Sequence, residues 1–85
     1  MDEIIKNAMI KLDRCIKLLY EGKDIIAYNK ILGLRQILQE KEIKNDKTIM
    51  NIKSEIESCI NIIKNGQSIQ VYFKLINMRK ILNKY

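Results

Sequence analysis

Residues 15–38, CIKLLYEGKDIIAYNKILGLRQIL, return 44 positions later as residues 59–82, CINIIKNGQSIQVYFKLINMRKIL. Cys15/Cys59, Ile16/Ile60, Gly22/Gly66, Ile25/Ile69, Tyr28/Tyr72, Lys30/Lys74, Arg35/Arg79, Ile37/Ile81 and Leu38/Leu82 are identical. Other pairs keep their character, as in Leu19/Ile63, Ala27/Val71 and Leu34/Met78. The correspondence extends over residues 2–41 and 46–85 through Asp2/Asp46, Asn7/Asn51, Leu12/Ile56 and Asp13/Glu57. Self-similarity at a fixed period is the mark of one supersecondary unit used twice.

Each copy reads as helix, tight turn, helix. Ile5, Ala8, Leu12, Cys15 and Leu19 recur at three- and four-residue steps, as do Ile49, Ile52, Ile56, Cys59 and Ile63, and such spacing puts an apolar stripe on one side of a helix. The returning helices carry Ala27, Ile31, Leu34 and Leu38 in the first copy and Val71, Leu75, Met78, Leu82 and Tyr85 in the second. Gly22 and Gly66 fit the left-handed residue that ends a helix. Asp24 and Ser68, two positions on, are the expected N-caps of the returning helices, and Asp2 and Asp46 those of the leading ones. Polar residues 42–45 join the copies. Short turns make successive helices antiparallel neighbours. The expected fold is therefore all-α: a single domain over residues 1–85, an antiparallel four-helix bundle of two tandem αα-hairpins related by a pseudo-twofold axis.

Composition agrees with that class. The 85 residues include no Pro, three Gly and 47% apolar side chains, which leaves little turn chemistry for a β or mixed domain. No apolar run approaches the roughly 18–20 residues needed to cross a bilayer, and Met1-Asp2-Glu3 does not open like a signal peptide, so a cytoplasmic protein is expected. Cys15 and Cys59 belong to no CxxC pair and read as reduced, buried thiols. Richness in Ile, Lys and Asn points to a low-GC coding genome, bacterial or viral.

Candidate chemistry is sparse. With no His, the commonest general base and the commonest metal ligand are missing, and neither a glycine-rich phosphate loop nor paired ExxH motifs occur. No catalytic, cofactor-binding or metal site is assigned, and the chain is read as not an enzyme.

The returning helices carry more apolar surface than one bundle face needs. Ile69, Tyr72, Phe73 and Ile76 form a second apolar side, and Ile25, Tyr28 and Leu32 do the same in the first copy. Packing of each returning helix against two neighbours is one account of this surplus. The other is a contact surface for a larger protein or a second copy, with Ile69, Tyr72, Phe73, Ile76 and Lys80 as its residues. Phe73 is the telling position, because its counterpart is Asn29.

Charge supplies a competing class. The net charge of +6 is concentrated in the second copy, where the last acid is Glu57, so Lys64, Lys74, Arg79, Lys80 and Lys84 read as uncompensated. A basic helix attracts phosphate, and a nucleic-acid-associated regulator would use Lys74, Arg79, Lys80 and Lys84. Arg35 and Arg79 are expected to pair within their own hairpins, Arg35 with Asp13 and Arg79 with Glu57. Gly33, mid-helix, implies close approach of a neighbouring helix. The preferred reading is a small non-catalytic interaction protein (an adaptor, chaperone or inhibitor of a larger protein) with homodimerisation as an option and no membrane partner.

Overall fold

A computed structural model describes residues 3–39 and 47–84. They form four helices and, among the described residues, no strand: α1 (Glu3–Tyr20), α2 (Asp24–Gln39), α3 (Lys47–Lys64) and α4 (Ser68–Asn83). The principal contacts run α1–α2, α2–α3, α3–α4 and α4–α1, the closed ring of a bundle. Its dimensions of 33 × 19 × 18 Å fit helices of about 27 Å set side by side, two by two, at spacings of about 8–10 Å.

The heptad-like stripes fill the interior. Ile5, Ala8, Leu12, Cys15 and Leu19 of α1, Ala27, Ile31, Leu34 and Leu38 of α2, and Val71, Leu75, Met78 and Leu82 of α4 are all buried. From α3 come Ile49, Ile52, Ile56, Cys59 and Ile63, joined by Ile60. No polar or charged described residue is buried, so hydrophobic burial drives assembly without an internal polar network. Tyr85, the capping roles of Asp2 and Asp46 and the joining residues 42–45 lie outside the described residues.

Both turns close in the same way. Gly22 has φ 78° and Gly66 φ 79°, values that a side chain at Cβ disfavours. Around the first, the Gly22 N–H donates to Leu19 O (3.0 Å) and the Lys23 N–H to Leu18 O (2.9 Å); around the second, Gly66 donates to Ile63 O (3.0 Å) and Gln67 to Ile62 O (3.3 Å). These are Schellman closures, which satisfy the carbonyls left over at a helix end. The next helix then starts one residue earlier than expected. Ala27 N–H donates to Lys23 O (2.9 Å) and Val71 N–H to Gln67 O (3.4 Å), so Lys23 and Gln67, not Asp24 and Ser68, occupy the cap positions. Gln67 makes no side-chain cap bond. The Ser68 hydroxyl instead donates to the Asp24 carboxylate, joining the starts of α2 and α4.

Three further expectations are corrected. The ion pairs cross between hairpins: Arg79 Nε lies 2.6 Å from Asp13 Oδ1 and Arg35 Nη1 lies 3.5 Å from Glu57 Oε1. Lys74 and Arg79 stand five residues apart on α4, about 140° around the helix, on opposite flanks of the core stripe. Lys74 takes the α3 flank, 3.0 Å from Glu55, which leaves Arg79 facing α1. Consequently Lys74 and Arg79 are compensated cations, not free ones. Gly33, finally, marks no close approach, because a Cβ built there would meet nothing within 4 Å.

Candidate functional site

The outer side of α4 is where the surplus apolar residues emerge. Ile69 is 73% and Phe73 63% exposed, whereas Tyr72 and Ile76 are half-buried and Lys80 is exposed. Tyr72, Ile76 and Lys80 follow at four-residue steps and so form one ridge along the helix. On the neighbouring α1, Tyr20 is 79% exposed, and its ring centroid lies 6.2 Å from that of Tyr72. Tyr72 in turn meets Phe73 edge to face at 5.4 Å. Three aromatic rings from two helices therefore share one end of the bundle, beside the glycine turns. Periodicity does not single out Tyr20, which ends its helix; the contrast with Lys64, 44 positions on, is the signal that marks it.

A cleft of about 200 Å³ between α1 and α4 is lined by Leu19, Tyr20, Ser68, Ile69 and Tyr72. Between α3 and α2 a cleft of about 180 Å³ is lined by Ile63, Lys64, Asp24, Ile25 and Tyr28. Each residue of the second lies 44 positions from one of the first. Packing against two neighbours accounts for part of the surplus, since Tyr28, Leu32 and Tyr72 rest against the core, but Ile25, Ile69 and Phe73 remain outside it.

The basic set divides. Arg79 and Lys74 are held by Asp13 and Glu55, and the Glu55 hydrogen bond raises the Lys74 ammonium above its ordinary pKa. Lys80 and Lys84 are exposed, and neither forms an ion pair among the described residues. Two of the four cations thus stand beside carboxylates of neighbouring helices and two do not. The thiols are inert by environment: burial pushes Cys15 and Cys59 each up to about 11, partly offset by nearby lysines, so both stay protonated at neutral pH. Among the described residues no group of three or more Cys, Asp or Glu could hold a metal ion, and no helix is long and apolar enough to cross a membrane.

Compared with protein-family models, with curated proteins and with solved structures, the chain matches none.

Proposed function

We propose that this chain is a non-catalytic protein-interaction module, built of two tandem antiparallel hairpins about a pseudo-twofold axis, and that its working surface is the outer α1/α4 face. Several pairings support the architecture. Moving Asp13 and Arg79 by 44 positions gives Glu57 and Arg35, the other crossed pair. The two end clefts interchange in the same way, and Asp24 touches its own counterpart, Ser68. Both turns carry a left-handed glycine, and the helices run 18, 16, 18 and 16 residues.

The observation that carries the function is a difference between two faces that share one scaffold. Ile69, Tyr72 and Ile76 on the α1/α4 face match Ile25, Tyr28 and Leu32 on the α2/α3 face. Beside them Tyr20 stands where the other face has Lys64, and Phe73, on the outside of α4 between Tyr72 and the α3/α4 cleft, has Asn29 as its counterpart. The counterpart positions do without either ring, which supports a use for them beyond folding, and a contact surface uses large, rigid aromatic area at low entropic cost. Lys74 and Arg79 are engaged within the bundle, which leaves the phosphate-binding alternative with half of its cations.

The test uses the chain's own alternative residues. Tyr20→Lys/Phe73→Asn installs what the α2/α3 face already carries, so the bundle is expected to stay folded. Tagged wild type and variant are recovered from the native cell and their bound proteins quantified. A partner retained by wild type and lost by the variant is the expected result; identical recoveries would defeat the reading.

A further inference from the structure

Resting on that reading, we infer that the α1/α4 face takes an acidic amphipathic helix from another protein, seating an apolar side chain in the Tyr20–Ile69–Tyr72 cleft and its carboxylates against Lys17 and Lys80. The charges around the patch carry the inference. Lys17 precedes Tyr20 by three residues and Lys80 follows Ile76 by four, so each lies on the same helical side as the apolar residue it flanks. Both are exposed, and neither has an ion-pair partner among the described residues. The acids nearest the patch in sequence are already engaged: Asp13 with Arg79, Glu21 with Lys23 at 3.4 Å, and Asp24 as acceptor of the Ser68 hydroxyl at the end of the cleft. The patch thus combines an apolar centre with uncompensated positive charge at its edges.

The second copy again supplies the comparison. At the positions of Lys17 and Lys80 the α2/α3 face has Asn61 and Gln36. Lys17 and Lys80 are thus cations that the α1/α4 face adds where the fold is served equally by neutral amides, whereas the α2/α3 face places its own lysines elsewhere, Lys64 at its cleft and Lys53 further along. Complementary charge at the rim of an apolar patch steers and orients a partner, and here the complement is negative. A second copy of the chain is disfavoured as occupant, because it would bring Lys17 and Lys80 against their like. A nucleic-acid strand fits less well, since Ile69, Ile76 and the ring cluster would be covered without their apolar area being matched. A helix suits the shape, because the patch lies in the groove between two helices and the ridge Tyr72, Ile76, Lys80 runs along it for about 12 Å.

The probe is a displayed library of amphipathic peptides about 15 residues long, with Asp, Glu, Lys and Gln allowed at every polar position. It is selected on wild type and counter-selected on Tyr20→Lys/Phe73→Asn. The expected pool is net acidic with an aromatic or aliphatic anchor, and binds Lys17→Glu/Lys80→Glu about tenfold or more weakly. Exchanging its acids for Lys is expected to restore binding to that reversed variant, a rescue that simple damage to the fold would not give. Circular dichroism of each variant checks helicity. A pool that is neutral or basic, or one indifferent to the reversal, overturns the acidic-helix inference while the contact-surface reading stands. If no peptide separates wild type from Tyr20→Lys/Phe73→Asn, the inference falls, and the native-cell recovery decides the surface itself. Salt-sensitive binding to a single- or double-stranded oligonucleotide through Lys80 and Lys84, or a dimer abolished by Phe73→Asn, would also overturn it by naming a different occupant.

Discussion

Crossed ion pairs make a prediction that separates this bundle from its nearest rival topology. If Asp13 reaches Arg79 and Glu57 reaches Arg35, then double-mutant cycles on those pairs carry a coupling energy, while cycles on Asp13/Arg35 and Glu57/Arg79 carry none. The contacting side chains are between 32% and 54% exposed, which places both pairs among surface salt bridges, worth about 0.2–1 kcal/mol. The 2.6 Å contact of Arg79 belongs at about 0.5–1 kcal/mol and the 3.5 Å contact of Arg35 at about 0.2–0.5 kcal/mol. Asp13→Asn, Arg79→Gln, Glu57→Gln and Arg35→Gln, singly and in the four pairings, would be unfolded in urea and followed by far-UV circular dichroism. Non-interacting sites add to within about 0.3–0.5 kcal/mol, so the Asp13/Arg79 cycle is the decisive one. Its coupling should shrink at about 1 M salt, where the Debye length falls to about 3 Å. Coupling of about 0.5 kcal/mol or more in a within-hairpin cycle, together with none across the hairpins, would refute the hand of the bundle, in which the Asp13 flank of α1 faces α4 and not α2.

Other expectations follow from single residues. Gly33→Ala should stabilise the chain by about 0.5–1 kcal/mol, because the added methyl meets nothing and helix propensity improves; Gly66→Ala, forced to φ 79°, should cost about 1–2 kcal/mol, and equal effects in thermal melts would contradict the turn geometry. The buried thiols tie stability to alkaline pH. Below about 9 folded and unfolded chains both keep the protons; between about 9 and about 11 the unfolded chain releases them and the folded one does not, so stability falls as pH rises, by about 2 kcal/mol per thiol at the top of that window. Urea midpoints should therefore drop more steeply with pH in wild type than in Cys15→Ala/Cys59→Ala, and parallel slopes would count against burial. Tyr20→Lys/Phe73→Asn should cost about 1–2 kcal/mol, the worth of the two exposed aromatic contacts with Tyr72 that it removes, against about 2–5 kcal/mol for Leu75→Ala in the core.

Periodicity made the core legible before any coordinates. Each stripe residue from Ile5 to Leu82 sits inside because a three- and four-residue alternation has only one way to be buried along a helix. The turn glycines Gly22 and Gly66 are equally legible, since few other residues tolerate a positive φ, whereas Gly33 is not. Lateral neighbours were not. A short turn dictates which helix follows which, but not which flank of the stripe each neighbour covers. The Asp13–Arg35 expectation failed for that reason, although the opposite flanks of Lys74 and Arg79 were already written in their spacing. The apparent excess of cations had the same origin: Glu55 and Asp13 neutralise α4 from two different helices. At the candidate site, Ile69 and Phe73 could be read as surplus, but Tyr20 could not, because proximity across α1 and α4 arises only when the ring closes.

Residues 24 and 68 hold the same place, two positions beyond each glycine, and their side chains touch. Two identical hairpins meeting about a symmetry axis would have to set like against like there: carboxylate on carboxylate, or hydroxyl on hydroxyl. Covalent linkage lifts that restriction. Within one chain, one position can supply the acceptor while the other supplies the donor, as Asp24 and Ser68 do. A single chain is in this respect freer than two separate copies would be, and the same freedom lets Tyr20 and Phe73 stand at positions whose counterparts are Lys64 and Asn29.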